Sequence, residues 1–297
     1  MIKIGNCSNC WGVWFAEDDK QMPWQRIADE ISEIGYQYLE LAPFGFWPED
    51  PDVLLPELEK RGLKVVAGSY NCYFEDEEDM EENLNMIRRA CKQTKTAGGE
   101  IMVLFEWMYC DMFTNEITRP PQPTEEEWNR MVKNIVRACK VIKEEFGMIP
   151  VIHPHAGTRL ETTEQVYRLL DETDPETVYL CLDIGQYAYC HGDVMECIQK
   201  YGKRIKYLHL RNLDSKIRDK VFEEHLQYAA ATKMGVWPEL GKGDIDFVEV
   251  KKALDEAGFD GYGVIEMCCY PVEDQSQPYK TQKANFDYLK SIQFGQF

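Results

Sequence analysis

Histidine is scarce in this chain, with five in 297 residues, and basic residues are outnumbered: 33 Lys and Arg against 52 Asp and Glu, a formal charge of -19 at pH 7. A surplus of negative charge repels phosphate backbones and anionic lipid, so nucleic acid and membrane surfaces are excluded as partners. Abasic-site endonuclease chemistry is excluded as well, because it needs a basic groove and more metal ligands than five histidines supply. The opening "MIKIGNCSNC" lacks the basic-then-apolar order of a secretory signal, and no apolar run reaches the length of a membrane span. A cytoplasmic protein is therefore expected. No stretch rich in Pro, Gly or Ser divides the chain, and no glycine-rich phosphate turn follows its first apolar run. These absences argue against two domains and against a doubly wound nucleotide-binding sheet.

Cysteine, by contrast, is plentiful. Eleven are scattered through strand-like and helix-like segments, which suits free thiols in a reducing compartment rather than a disulfide framework. The pair Cys7 and Cys10 in "CSNC" has neither a second pair at ligand spacing nor a helix start after it, and reads as packing thiols.

Eight short apolar runs recur at nearly regular intervals: "IKIGNCS", "YQYLELAPF", "LKVVAGSY", "EIMVLFEW", "MIPVIHPHAG", "VYLCLDIG", "IKYLHLRN" and "GYGVIEM". Between them lie amphipathic segments of helical length, several ending in glycine just before the next run, as in "EIGY" and "KRGLKVV". Strand then helix, repeated eight times, predicts an α/β fold of the (β/α)8 TIM-barrel type, one domain over residues 1–297. The least regular part, 213–243, is expected to be an insertion on the C-terminal face that helps form the pocket.

In such a barrel the C-terminal ends of the strands converge on one site, and here they end in Glu40, Glu106, His153 with His155, Asp183, His209 and Glu266. Side chains two apart on an extended segment point the same way, so both histidines of "VIHPHAGT" can reach one cavity. Carboxylates set among apolar neighbours, as in "CLDIG" and "VIEM", are costly to bury unless a cation neutralises them. A mixed imidazole and carboxylate set suits Mn²⁺, with Zn²⁺, Fe²⁺, Co²⁺ or Mg²⁺ as alternatives. Glu40 reads equally as a rim salt bridge or a site residue. His191 and His225 read as structural.

Taken in order, "CWGVWF", "GYQYLELAPFGFWPEDP", "VIHPHAGTRLETTEQV", "CLDIGQ", "YLHLRN", "GKGDIDF" and "YGVIEM" resemble the xylose-isomerase-like barrels of the sugar isomerase and epimerase superfamily, most closely its inosose dehydratase-like branch. The resemblance implies metal ligands at Asp183, His209 and Glu266, with His153 in place of a strand-five glutamate. It implies proton transfer by His155, or by His153 with His155 as the fourth ligand, and Glu106 is a second catalytic candidate or an alternative fourth ligand. An unperturbed imidazole, titrating near pH ~6.5, would serve as that base. Trp11, Trp14, Gln186 and Arg211 are expected on the substrate, and Phe46, Trp47 and Trp107 near the mouth. The implied activity is a metal-dependent lyase on a keto-sugar or keto-cyclitol, by α-proton abstraction and β-elimination or by carbon-carbon cleavage of a 3-oxo C-glycoside. An isomerase or epimerase is the runner-up, and a non-catalytic sugar-binding barrel the reading from another class. A small neutral substrate is implied, with a homo-oligomer or a small accessory subunit as partner.

Overall fold

A computed structural model describes every residue of the chain except Asp19 and Pro271. Its eight strands are β1 Ile2–Cys7, β2 Tyr38–Leu41, β3 Lys64–Cys72, β4 Ile101–Glu106, β5 Ile149–Ile152, β6 Tyr179–Asp183, β7 Ile205–Leu210 and β8 Gly261–Ile265. Each pairs in parallel with the next, and β8 closes on β1 with Ile4 opposite Gly263. Seven of the eight apolar runs contain a whole strand, and β3 runs two residues past the end of the third, to Cys72. Closure leaves no sheet edge, and it gathers the C-terminal ends of all eight strands around one axis.

The helices form where the sequence supplies caps and a buried face. In α3 (Met80–Thr96) the buried residues Leu84, Ile87 and Cys91 recur at helical spacing. Thr124 and Glu127 make a reciprocal capping box at the start of α4 (Glu125–Lys140), as Thr162 and Gln165 do for α5 (Thr163–Glu172). Met102 and Leu104 of β4 pack outward with Ile87 and Cys91 of α3 and Trp128 and Met131 of α4. Burial of each such side chain contributes roughly 1.5–3 kcal/mol. Val103 and Phe105, on the other face of β4, face the barrel interior.

Other helices are α1 (Trp24–Ile34), α2 (Pro51–Lys60), α6 (Ile184–Tyr189), α7 (Val194–Tyr201), α8 (Ser215–Glu223), α9 (Tyr228–Lys233), α10 (Phe247–Glu256) and α11 (Gln277–Ser291). Residues 213–243 contain α8 and α9 rather than irregular chain, and α9 brings Tyr228 to the wall of the central cavity. Among the described residues no helix is long and apolar enough to cross a membrane, and all eleven cysteines are free.

Candidate metal centre and its cavity

Two strands and the residues just after two others each deliver one ligand-type side chain to the axis. Asp183 ends β6, His209 lies in β7, Glu266 follows β8 and His153 follows β5, and one ligand atom from each lies within 4.8 Å of all the others. All four are buried. The local sequence explains why Asp183 can serve two purposes: its Oδ1 accepts the Gln186 N–H at 2.8 Å and caps α6, which leaves Oδ2 toward the axis. His209 is oriented by Glu40, whose Oε2 lies 2.9 Å from Nε2 and also accepts from the Tyr207 hydroxyl at 2.8 Å. A carboxylate on Nε2 fixes the ring and leaves Nδ1 facing the other ligands.

The donor set passes a simple test of fit to a divalent cation. His153 Nδ1 and Nε2, His209 Nδ1 and Asp183 Oδ2 are all buried with no hydrogen-bond partner among the described residues. Buried polar atoms are rarely left so, and one His153 nitrogen, His209 Nδ1, Asp183 Oδ2 and a Glu266 oxygen are close enough together to share a bound cation. Burial, with His209 adding to it, holds the His153 imidazole well below its ordinary value, hence neutral and able to ligate. For Asp183 burial raises the carboxyl to about 6, against the pull of Arg211. Burial also works against ionisation of Glu266, yet the Arg211 guanidinium and His209 outweigh it and hold that carboxyl well below the usual range.

Arg211 is fully buried and binds the carboxylates from behind. Its Nη2 donates to Glu266 Oε2, and its Nε stands 3.3 Å from Asp183 Oδ2 without hydrogen-bond alignment. It does not line the cavity, and neither does Gln186, which is buried against His155 and Tyr228. The expectation that Arg211 and Gln186 touch substrate is corrected: both support the residues that do face the cavity. His155 lines the cavity with both ring nitrogens engaged, Nδ1 by the Ala156 carbonyl at 2.7 Å and Nε2 by Gln186 at 2.9 Å. Burial lowers it to about 4, a large departure from the unperturbed value expected for a base.

Glu106 is the clearest correction. It shares the outward face of β4 with Met102 and Leu104, so Phe105 takes the inward position that the site role required. Its Oε2 accepts from the Phe74 N–H at 3.0 Å, and burial followed by the neighbouring Glu75 pushes its carboxyl well up. Neither catalysis nor ligation is open to it from there. Trp11 is likewise displaced: it sits in the 3-10 turn after β1, buried, and its indole N–H donates to Glu30 of α1 at 2.6 Å. Phe46 and Trp47 also lie off the cavity wall, whereas Trp14 and Trp107 line it. His191 and His225 lie outside the site.

The cavity measures about 60 Å³, and its wall includes Trp14, which stacks on Tyr270 at 5.0 Å, with Trp107 and Met112. Strand-end reading missed Asn9, Ser69, Tyr228 and Cys268, all on the wall. The Asn9 amide lies 3.4 Å from Glu266 Oε1. No sequence signal marked these residues, since none belongs to a ligand-type pattern, although Tyr228 falls within 213–243.

Residues 28–292 match the model of the xylose isomerase-like TIM barrel family. An inosose dehydratase of Geobacillus thermodenitrificans (strain NG80-2) is 31% identical over 255 residues, covering 80% of this chain and 85% of the relative. Among solved structures, the probable 3-DHS dehydratase AsbF of Bacillus anthracis superposes with a TM-score of 0.72 at 17% identity over 98% of this chain and 99% of that one. The IOLI protein with a bound zinc atom superposes at 0.69 and 19% identity, again over 98% and 99%. At these identities the two structures speak to the fold.

Proposed function

Because the chain belongs to the xylose isomerase-like TIM barrel family and is an enzyme for sugar-like substrates, we propose that it is a metal-dependent lyase that eliminates water from a keto-cyclitol or keto-sugar. The observation that carries this reading is the convergence of His153, Asp183, His209 and Glu266, the first three with unpartnered buried ligand atoms, beside the cavity that His153, His209, Glu266 and His155 line. The dehydratase relative at 31% identity supports elimination over isomerisation.

In this reading His153, Asp183, His209 and Glu266 hold one divalent cation, Mn²⁺ being the first candidate. When bound, the cation supplies the positive charge that polarises a carbonyl and acidifies the adjoining C–H bond. His155 Nε2 receives the α proton. The imidazole is neutral at pH 7 with Nδ1 protonated against the Ala156 carbonyl, so its acceptor form is the resting form. Trp14, Trp107 and Met112 exclude water from the cavity and present flat apolar faces to a ring. A small neutral substrate accords with an acidic chain, and no nucleic acid or membrane is invoked as partner.

Protein purified without chelator is expected to carry close to one divalent metal per chain, lost in Asp183→Asn. Incubated with 2-keto-myo-inositol, the loaded protein is expected to yield a product lighter by one water in mass spectrometry. His155→Ala is expected to keep the metal and lose ~10²-fold or more in kcat. Mass-neutral conversion of a free ketohexose, with no elimination from the keto-cyclitol and no cleavage of 3-oxo-glucosides, would overturn the lyase reading in favour of an isomerase or epimerase.

A further inference from the structure

His155 is held from both sides, and the hydrogen bonds leave only one assignment of its proton. The Ala156 carbonyl at 2.7 Å can only accept, so Nδ1 carries the hydrogen. Nε2 is then a lone pair, and the group 2.9 Å from it, Gln186 Nε2, is its donor. The amide orientation has separate support, because Gln186 Oε1 accepts the Ala156 N–H at 3.3 Å. The other amide hydrogen goes to the Tyr228 hydroxyl oxygen at 2.9 Å. That oxygen also accepts from Arg211 Nη1 at 3.1 Å, so the Tyr228 proton turns to Cys268 Sγ at 3.4 Å. Gln186, Tyr228 and Arg211 are all buried, and the Gln186 backbone is tied to Asp183 Oδ1 at 2.8 Å.

We infer that Gln186 is a positioning residue that, together with the Ala156 carbonyl, holds the working tautomer of His155, keeping Nδ1 protonated and Nε2 an acceptor. The inference rests on the reading of His155 as the proton acceptor. When Nε2 accepts the substrate proton, the amide loses that one acceptor and keeps its other hydrogen on Tyr228. The residue that orients the base and the carboxylate that faces the metal site stand on one turn, Asp183 to Gln186. Substrate recognition by Gln186 has no support in this geometry, since the side chain lies behind the cavity wall.

The test uses the metal-loaded protein labelled with ¹⁵N-histidine, in which the His155 signals are assigned by their loss in His155→Ala. Wild type is expected to show His155 protonated at Nδ1. Gln186→Glu, which sets an acceptor against each ring nitrogen, is expected to protonate Nε2 as well, leave no lone pair for the substrate proton and lower kcat by ~10²-fold, with KM and metal content little changed. Gln186→Met leaves the Ala156 carbonyl as the only constraint and is expected to keep the wild-type tautomer and more activity than Gln186→Glu. A merely structural role predicts the opposite order, because Glu is the closer isostere of Gln. An Nε2-protonated ring in wild type, or a Gln186→Glu protein with wild-type tautomer and kcat, would overturn the inference. Full activity in His155→Ala would instead remove the reading beneath it, while the spectrum tests the tautomer separately.

Discussion

Replacing Glu161 with Gln isolates a single proton that the fold holds next to the "HPHAGT" loop. Glu161 Oε2 accepts the Gly157 N–H at 2.7 Å and Oε1 accepts from the Tyr109 hydroxyl at 3.3 Å, while the Tyr109 N–H returns to the Gly157 carbonyl at 2.8 Å. Burial raises this carboxyl from about 4.5 to about 7, with the two hydrogen bonds opposing the rise. Between those values the folded protein keeps a proton that the unfolded chain has lost. The contribution to stability is thus fully present below pH 4.5 and is lost as pH rises through 7. At about 1.4 kcal/mol per tenfold change in proton affinity, the loss between pH 5 and pH 8 comes to about 2–3 kcal/mol. Glu161→Gln preserves the acceptor for Gly157 and cannot ionise. Urea unfolding at pH 5 and pH 8 is expected to show equal stability for the two proteins at the lower pH, and the variant ahead by about 2–3 kcal/mol at the higher. Asp183, raised to about 6, titrates in the same window but in both proteins, so it cancels in the comparison. Parallel pH profiles for the two proteins would refute the reasoning.

Arg211→Met strands the buried carboxylates Asp183 and Glu266 without their cation, so chelator-treated variant is expected to lose about 3–5 kcal/mol against wild type, and saturating Mn²⁺ to restore more stability to the variant than to wild type. Equal losses with and without metal, read by denaturant unfolding, would show that the guanidinium and the cation do not share those charges. Trp14→Ala removes a cavity face and is expected to raise KM about 3- to 10-fold. Trp11→Phe, which removes only the bond to Glu30, is expected to leave KM unchanged while lowering stability by about 1–2 kcal/mol, and a KM effect there would put Trp11 back in the site.

Eight apolar runs separated by amphipathic segments were enough to specify the barrel, because a strand period of 2 and a helix period of 3.6 are properties of the chain itself. The convergence of the candidate ligands was legible for the same reason: strand ends in a closed parallel barrel converge whatever the loops do, and Asp183, His209 and Glu266 announce themselves by chemical type. Glu106 shows where that logic stops. Its residue type and its place at a strand end matched the pattern, but one residue of register sends a side chain to the opposite face, and that register is set by how Met102 and Leu104 pack on α3 and α4. Trp11, Gln186 and Arg211 failed similarly, for depth behind the wall depends on side-chain partners that are distant in sequence, such as Glu30, Tyr228 and Glu266. Burial lowers His155 to about 4, and its Nε2 is engaged by a glutamine on another strand's turn. Composition and periodicity carry no information about such contacts, because desolvation and hydrogen bonding act across space between groups that only the closed barrel brings together.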